Sequence, residues 1–362
     1  MSNASDSEGN LPFHNAERRR VLGGMALAAG MLAAVGTQSH ARAASATSAN
    51  AKTSPLGEDQ IGQILDQMAN SFQHQLRSPV MHLPSEYGLD YEDVTFPSLD
   101  GVPLEGWFIP AQNSNKIIIA NHPMGFSRSG IPAHLEPWRS IWRASGNDFE
   151  VDFIPDYKIL HDAGYNVLTY DLRNFGHSGE ANGGIASSGI FEARDVLGSL
   201  NYVRGRADLR GMTIGLFSRC LGCSSTFRAM ADAPAAFEGV RCLVGAQPVT
   251  MKGIVQRRLA LAGVPAERID DLEQRIVLRT GIAFARRMPA EWAKHVRVPT
   301  FLYQVRGDVV TDPSDVQSMF DNIPIAEKKL QWIDGTTARF DGYLEFQRRP
   351  GPMLDWFAQH MN

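Results

Sequence analysis

Cys220 is the side chain best placed by its neighbours to act as a nucleophile, within the stretch TIGLFSRCLGCSS. An apolar run leads into it, and Ser218 and Gly222 stand two positions before and after it. A nucleophile on a sharp strand-to-helix turn needs small residues there, because its strained backbone leaves no room for bulk. We expect a thiol at the start of a helix, where the helix dipole and the neighbouring Arg219 favour the thiolate.

Other interpretations of this stretch stay open. Ser218 and Ser224 are less suitable nucleophiles for this turn. With Ser218, Leu216 would stand two positions before the nucleophile, where a small residue is needed, and Ser224 lies too far into the helix. Cys220 and Cys223 also form a C-x-x-C at a helix start, as in redox proteins, and small cysteines are often simply buried. Three cysteines in all are too few for a disulfide framework.

The loop after the run KIIIANHP offers groups that could stabilise an oxyanion. Ligands of parallel sheets bind where the strands end, and acyl transfer there uses two backbone N–H donors. Pro123 has no N–H, so we expect Met124 to supply one donor and Leu221, which follows the nucleophile, the other. His122 in this loop could orient the site or act as a base, or it could make a structural hydrogen bond.

A carboxylate follows another buried run, in FLYQVRGDVVTDPSD. Asp308 is the expected acid of a catalytic triad, and Asp312 is the second choice. An aspartate after a strand can also be an ordinary turn or helix-capping residue.

The elements that must position these residues alternate along the chain. Continuous apolar runs, typical of strands buried on both faces, are separated by helical segments: KIIIANHP, YNVLTYDLR, MTIGLF, VRCLVGAQPV, PTFLYQV and KKLQWI. Apolar and polar residues alternate on both sides of Asp100-Gly101, which predicts a hairpin. The pattern predicts an α/β fold with a mostly parallel sheet and helices on both faces.

Two helical regions lie outside this alternation. Residues 251–295 are charged, helical in period and too long for a simple crossover, so they predict an inserted cap; an elongated helix pair without a functional role is the alternative. Apolar residues at helical spacing from Ile61 to Leu76 predict a helix that packs as a lid or flank.

The amino-terminal segment predicts export. Residues 1–43 resemble a twin-arginine signal peptide, with Arg18 and Arg19 before a mildly apolar stretch and an A-x-A cleavage pattern at its end. A disordered leader or an uncleaved anchor is the alternative. We expect a linker at 44–54, a folded domain at 55–362, and a periplasmic or secreted protein without stable membrane insertion after cleavage.

The composition of the chain limits the kinds of ligand and partner that we expect it to bind. The chain has 362 residues, 43% of them hydrophobic, and a formal net charge of −4 at pH 7, so we expect a globular domain that binds a small molecule and no nucleic acid. No dinucleotide or P-loop fingerprint and no ligand spacing for a metal occurs, so we expect neither a cofactor nor a metal. The oligomeric state stays open.

Together these motifs resemble the α/β-hydrolase superfamily, from about Tyr91 to the end of the chain. YDLRNFGHSG is similar to a loop of that family, and a cysteine in the elbow resembles its dienelactone-hydrolase branch. The resemblance implies a triad in the order nucleophile, acid, histidine, with the histidine expected in QWIDGTTARFDGY. Ala338 stands at that position.

An alanine in place of the base leaves three functional classes. A thiolate can form a thioester without an adjacent imidazole, but release by water is slow without a general base, so the first class is a slow hydrolase of an ester, lactone or thioester. The second is an acyltransferase, lyase or isomerase on the same scaffold, and the third is an inactive binding protein. Of the remaining histidines, His122 is the expected substitute base.

Overall fold

The computed structural model describes residues 56–362; the predicted signal and the linker lie outside the described residues. The strands are β1 Glu92–Pro97, β2 Pro103–Ile109, β3 Lys116–Asn121, β4 Gly130–Ile131, β5 Val151–Asp152, β6 Asn166–Tyr170, β7 Thr213–Arg219, β8 Val240–Ala246, β9 Thr300–Val305 and β10 Lys328–Ile333.

The α-helices surround this sheet, joined by loops and short 3₁₀ turns. They are α1 Glu58–Asn70, α2 Trp138–Trp142, α3 Ile154–Asp162, α4 Ala193–Gly205, α5 Leu221–Asp232, α6 Met251–Leu261, α7 Ile269–Thr280, α8 Pro289–Ala293, α9 Pro313–Asn322, α10 Arg339–Tyr343, α11 Glu345–Arg348 and α12 Gly351–His360. Within residues 56–362, none of them combines the length and the apolar character needed to cross a bilayer.

Eight strands form one sheet in the order β1-β2-β6-β3-β7-β8-β9-β10. The six strands from β6 to β10 in this order are parallel, while β1 and β2 form an antiparallel hairpin on one edge. Gly101 in the hairpin turn has a φ of 86°, a left-handed conformation that glycine adopts without strain. The predicted mostly parallel sheet is confirmed.

Apolar side chains cover the sheet on both faces, because successive residues of a strand point to opposite sides. In β3, Ile117 and Ile119 join the core cluster beneath α4, α5 and α9, whereas Ile118 and Ala120 join the cluster beneath α3 and α12. Burial on both faces explains why these strands are apolar throughout.

A third core cluster joins α1 to the helices of the predicted cap. Ile61 and Leu65 of α1 pack with Leu259 of α6 and with Leu272 and Ile276 of α7. Arg279 of α7 also donates a hydrogen bond to Asp66 of α1 at 2.9 Å. The short helix α8, by contrast, contributes Trp292 and Ala293 to the main core, so the region that packs away from the sheet ends before α8.

Candidate active site

Cys220 forms the corner between β7 and α5. Its φ of 47° and ψ of −108° lie outside the regions that L-residues favour, which is the strained geometry of a nucleophile elbow. The buried Ser218 hydroxyl accepts a hydrogen bond from the Asn121 amide at 2.9 Å. A Cβ atom at Gly222 would lie 2.6 Å from the Cβ of Asn121, so only glycine fits where α5 meets the end of β3.

The thiol at the corner differs in its surroundings from the thiol one turn later. Cys220 is only half-buried, whereas Cys223 is fully buried in the cluster on the opposite face of the sheet from the one that Cys220 contacts. Burial raises the pKa of Cys223 well above its ordinary value. All three cysteines are free thiols. This placement argues against a redox pair and leaves Cys220 as the cysteine that meets solvent.

The prediction that Arg219 favours the thiolate of Cys220 is wrong. Its side chain is fully buried and forms an ion pair with Asp156, with the guanidinium 3.9 Å from the ring centre of Phe217 and 4.2 Å from that of Phe153. Arg219 follows Phe217 by two positions and so points to the same side of β7. Its charge is therefore matched by a carboxylate in the core instead of by the sulfur of Cys220.

The two predicted oxyanion donors lie at adjoining chain segments. The loop carrying Met124 meets the start of α5, where the Gly222 N–H donates to the His122 carbonyl at 3.2 Å. Leu221 is the first residue of α5, so its N–H has no acceptor within the helix. Among residues 56–362, neither the Met124 N–H nor the Leu221 N–H donates a hydrogen bond, so both are available to a ligand.

His122 does not fit the predicted role of substitute base. The imidazole is buried, and its Nε2 accepts a hydrogen bond from the Leu172 N–H at 2.8 Å. The Nδ1 atom must then carry the proton, which it donates to the Pro123 carbonyl at 2.7 Å. Burial lowers the pKa of His122, and with both nitrogens engaged the ring has a structural task that leaves no lone pair for a substrate proton.

Asp308 lies on the loop after β9 and is buried. Its carboxylate accepts hydrogen bonds from the Val310 N–H and the Thr311 hydroxyl, both at 2.9 Å. Asp312 instead caps α9, accepting from the Ser314 N–H at 3.0 Å. Of the two predicted acids, only Asp308 points inward.

Ala338 precedes α10 and supplies no side-chain hydrogen bond there. The next residue, Arg339, is buried and donates from Nη1 to Asp308 Oδ2 at 2.7 Å and from Nη2 to the Gln247 carbonyl at 2.5 Å. The carboxylate that would orient a histidine is thus paired with a guanidinium from the position after the expected base.

Tyr343, at the other end of α10, contacts the same guanidinium. Its hydroxyl accepts a hydrogen bond from Arg339 Nε at 3.0 Å. Burial raises the pKa of Tyr343 well above its usual value, so the phenol is protonated and can donate. Although burial acts against its charge, the neighbouring Tyr343, Asp308 and Cys220 raise the pKa of Arg339. The guanidinium therefore stays charged.

Sequence reasoning assigned no role to Arg339 or Tyr343. The available signal was their spacing: residues four apart on a helix lie on one face, and both follow the expected base position. Among residues 56–362, no group of three or more His, Cys, Asp or Glu side chains is placed to hold a metal ion.

Comparison with known proteins supports the architecture. The chain is similar to the esterase Pf2001 of Pyrococcus furiosus, with 20% identity and a TM-score of 0.58 over 80% of this chain and 100% of that protein. It is also similar to the α/β hydrolase GrgF of Penicillium sp. sh18, with 17% identity and a TM-score of 0.52 over 75% of this chain and 99% of that protein. The chain has the α/β-hydrolase fold. This similarity confirms the predicted fold.

Sequence relatives cover a smaller region. YfhR of Escherichia coli (strain K12) is 28% identical over 134 residues, which are 36% of this chain and 38% of YfhR. YfhR of Salmonella typhimurium is 27% identical over 142 residues, which are 38% of this chain and 40% of that protein. The chain spans less than half the length of the curated relatives it matches. No protein-family model matches it.

In this α/β-hydrolase fold the site departs from a standard triad at one position. Cys220 occupies the elbow after β7, and Asp308 follows β9, in the order that the fold uses for nucleophile and acid. Arg339 joins Asp308 to the Tyr343 hydroxyl. Among residues 56–362, neither Ala338 nor the fully engaged His122 offers this site an imidazole nitrogen that could accept a proton.

Proposed function

We propose that this protein is an enzyme that attacks an ester, lactone or thioester with Cys220 and forms an acyl thioester on it. The observation that carries the proposal is the half-buried sulfur on a strained strand-to-helix corner, where the Leu221 and Met124 N–H groups donate no hydrogen bond within residues 56–362. Strain of this kind costs about 1–3 kcal/mol and is retained mainly at functional sites.

The chemistry follows from these groups. The thiolate of Cys220 adds to the carbonyl carbon, and the N–H groups of Leu221 and Met124 stabilise the developing oxyanion. The carbon–oxygen bond of an ester then breaks, and the alkoxide takes a proton from solvent water. Water must next attack the thioester, and the carbon–sulfur bond breaks to release a carboxylate and regenerate the thiolate. Two protons pass to solvent in this step, and one of them neutralises the hydroxide left when the alkoxide was protonated.

Release of the acyl group is the slow half-reaction in this proposal. A general base contributes about 10²–10⁴-fold to such a step. Ala338 has no basic group, and both nitrogens of His122 are engaged. We therefore propose slow hydrolysis. The same observation favours a second candidate, transfer of the acyl group to an acceptor more nucleophilic than water. The esterase Pf2001 and the α/β hydrolase GrgF share the fold, which is consistent with either.

Intact-protein mass spectrometry after exposure to p-nitrophenyl acetate and p-nitrophenyl butyrate tests the proposal. We expect one acyl adduct on the wild type and on Cys223→Ala, the matched control for the buried thiol. Cys220→Ser should form no adduct at neutral pH. Absence of an adduct and of product release in the wild type would contradict covalent chemistry and favour a binding protein.

We also propose that the enzyme works outside the cytoplasm, on the strength of Arg18-Arg19 and the apolar stretch after them. Replacement of both arginines by lysine should retain the protein in the cytoplasmic fraction. Equal export of the two forms would contradict this location signal.

A further inference from the structure

We propose that Arg258 of α6 binds a carboxylate of the substrate, at a distance from the carbonyl group that Cys220 attacks. The inference rests on the proposed function, because it names the class of ester, lactone or thioester that the same site takes. It makes Arg258 a specificity-determining residue, which is separate from the groups that carry out the acylation itself.

Arg258 differs from the other arginines of α6 and α7 in having no carboxylate partner. Arg257 pairs with Asp312 at 2.8 Å, and the two arginines of α7 both pair with Asp66. Among residues 56–362, the guanidinium of Arg258 forms no ion pair and donates no hydrogen bond; its one polar contact is with an aromatic ring. Its charge is therefore available to a ligand.

The surroundings of Arg258 make an unpaired charge costly. The side chain is half-buried, and its guanidinium lies 5.8 Å from the ring centre of Trp142. Burial lowers the pKa of Arg258, although an arginine stays charged near neutral pH. A guanidinium that is partly removed from water without a counter-charge is unfavourable. A ligand that supplies the negative charge would offset this cost.

Trp142 places this cation beside the aromatic residues that surround the elbow. The Trp142 ring lies 4.9 Å from that of Phe340, and Phe340 lies 5.2 Å from Phe126. Phe340 and Phe126 belong to the core cluster against which Cys220 packs. A substrate bound along these rings would have an apolar middle, with its reacting carbonyl at one end and a charged group at the other.

The course of α6 also leads from the elbow to Arg258. The Cys220 N–H donates a hydrogen bond at 2.8 Å to the carbonyl of Ala246, the last residue of β8. The chain then enters α6 at Met251, and Arg258 follows two turns later, about 10 Å along the helix axis. An extended substrate of several carbon atoms spans such a length.

The guanidinium chemistry favours a carboxylate over a neutral polar group. A planar guanidinium donates two parallel hydrogen bonds to the two oxygens of a carboxylate. The face of Trp142 attracts the cation without using its N–H groups, so these stay free for the ligand. The carboxylate belongs either to the acyl part or to the alcohol part of the substrate, and the experiment separates the two.

The test uses two pairs of esters whose members differ in charge at the far end. Mono-p-nitrophenyl adipate carries a carboxylate on its acyl part, and its methyl ester is the neutral counterpart. The butyrate ester of p-hydroxybenzoate carries the carboxylate on its alcohol part, and that of methyl p-hydroxybenzoate is neutral. The measured quantity is the second-order rate constant for acylation of Cys220, followed by intact-protein mass spectrometry.

Arg258→Gln should lower the rate constant for one of the two anionic esters by at least about tenfold, because a hydrogen-bonded ion pair is lost. Its rate constants for the neutral esters should equal those of the wild type, which also reports that the fold is retained. Arg257→Gln is the matched control: it removes the same charge one position earlier, from a residue paired with Asp312, and should match the wild type. Arg258→Lys should retain part of the effect.

Equal rate constants for the wild type and Arg258→Gln with both anionic esters would overturn this inference, while acylation itself would leave the proposed function intact. If no ester acylates the wild type, the proposed function fails, and calorimetric titration with adipate then tests Arg258 alone. Binding that is at least about tenfold weaker in Arg258→Gln than in Arg257→Gln would leave the carboxylate site standing. Equal binding, or none, would overturn it as well.

Discussion

The guanidinium of Arg339 lies 2.7 Å from the carboxylate of Asp308, and both side chains are buried. In an α/β hydrolase with a complete triad, a histidine would take this carboxylate as its partner. Here the acid is satisfied by a cation that cannot exchange protons near neutral pH. This pairing decides what a histidine introduced at Ala338, the expected base position, would achieve.

Ala338→His alone should not raise ester turnover by more than about threefold, because Asp308 is already paired with Arg339 and cannot fix the tautomer of a new imidazole. Steady-state hydrolysis of p-nitrophenyl acetate measures this. A gain of about 10²-fold, the lower range for a general base, would instead show that the imidazole displaces the guanidinium from Asp308.

Asp308→Asn should lower the free energy of unfolding by about 3–5 kcal/mol, because it leaves the buried guanidinium of Arg339 without its counter-charge. Urea unfolding measures the loss. Asp312→Asn is the control: this residue is an exposed helix cap and asparagine caps equally well, so its change should stay within about 0.5 kcal/mol. Similar losses in both variants would mean that Asp308 is an ordinary turn residue.

Gly222→Ala should destabilise the protein by about 1–3 kcal/mol and slow the acylation of Cys220, since the new methyl group would press on Asn121 at the end of β3 and displace the loop that carries Met124. Gly253→Ala in α6 is the control, because the nearest atom to its new Cβ is 3.9 Å away. That variant should be neutral or slightly stabilised. Unchanged acylation of Gly222→Ala would contradict the close fit of the elbow against β3.

The buried His122 should make stability depend on pH in one direction. Its pKa is lowered in the folded protein, whereas in the unfolded chain it binds a proton below about its ordinary value of 6.5. The unfolded state therefore binds more protons as the pH falls through this value, and the free energy of unfolding decreases by up to about 1.4 kcal/mol per pH unit.

Unfolding of the wild type and of His122→Gln in urea at several pH values between 4.5 and 8 measures this contribution. The carboxylates are common to both proteins, so the difference between the two curves isolates the imidazole. Parallel curves below pH 6.5 would show that His122 is protonated in the native state, which would contradict the hydrogen bond from Leu172 to Nε2.

Local sequence patterns were sufficient to predict the sheet and the tight turn at Cys220. Continuous apolar runs specify strands buried on both faces, and the small residues Ser218 and Gly222 specify the tight corner around Cys220. The partner of Arg219 did not follow from local pattern, because Asp156, with which it forms a buried ion pair, lies 63 positions away in the chain.

The contacts made after the expected base position could not be predicted in the same way. Arg339 and Asp308 are 31 residues apart in the chain, and Gln247, which also accepts from Arg339, is 92 residues away. Such contacts depend on how α10 packs against the carboxyl ends of β8 and β9. This packing is a tertiary property that the local sequence pattern does not contain. Likewise, the hydrogen bonds that engage His122 come from Leu172, 50 positions along the chain, and from the adjacent Pro123.

The cation paired with Asp308 determines how this ion pair responds to pH. An imidazole in this place would gain or lose its proton between about pH 5 and 8, so its ion pair with Asp308 would depend on the pH of the solution. The guanidinium of Arg339 keeps its charge across that whole pH interval. Its ion pair with Asp308 and its hydrogen bond to the Tyr343 hydroxyl therefore do not change with pH there. If the export proposed from Arg18-Arg19 takes place, this pairing would stay the same in a compartment whose pH the cell does not buffer.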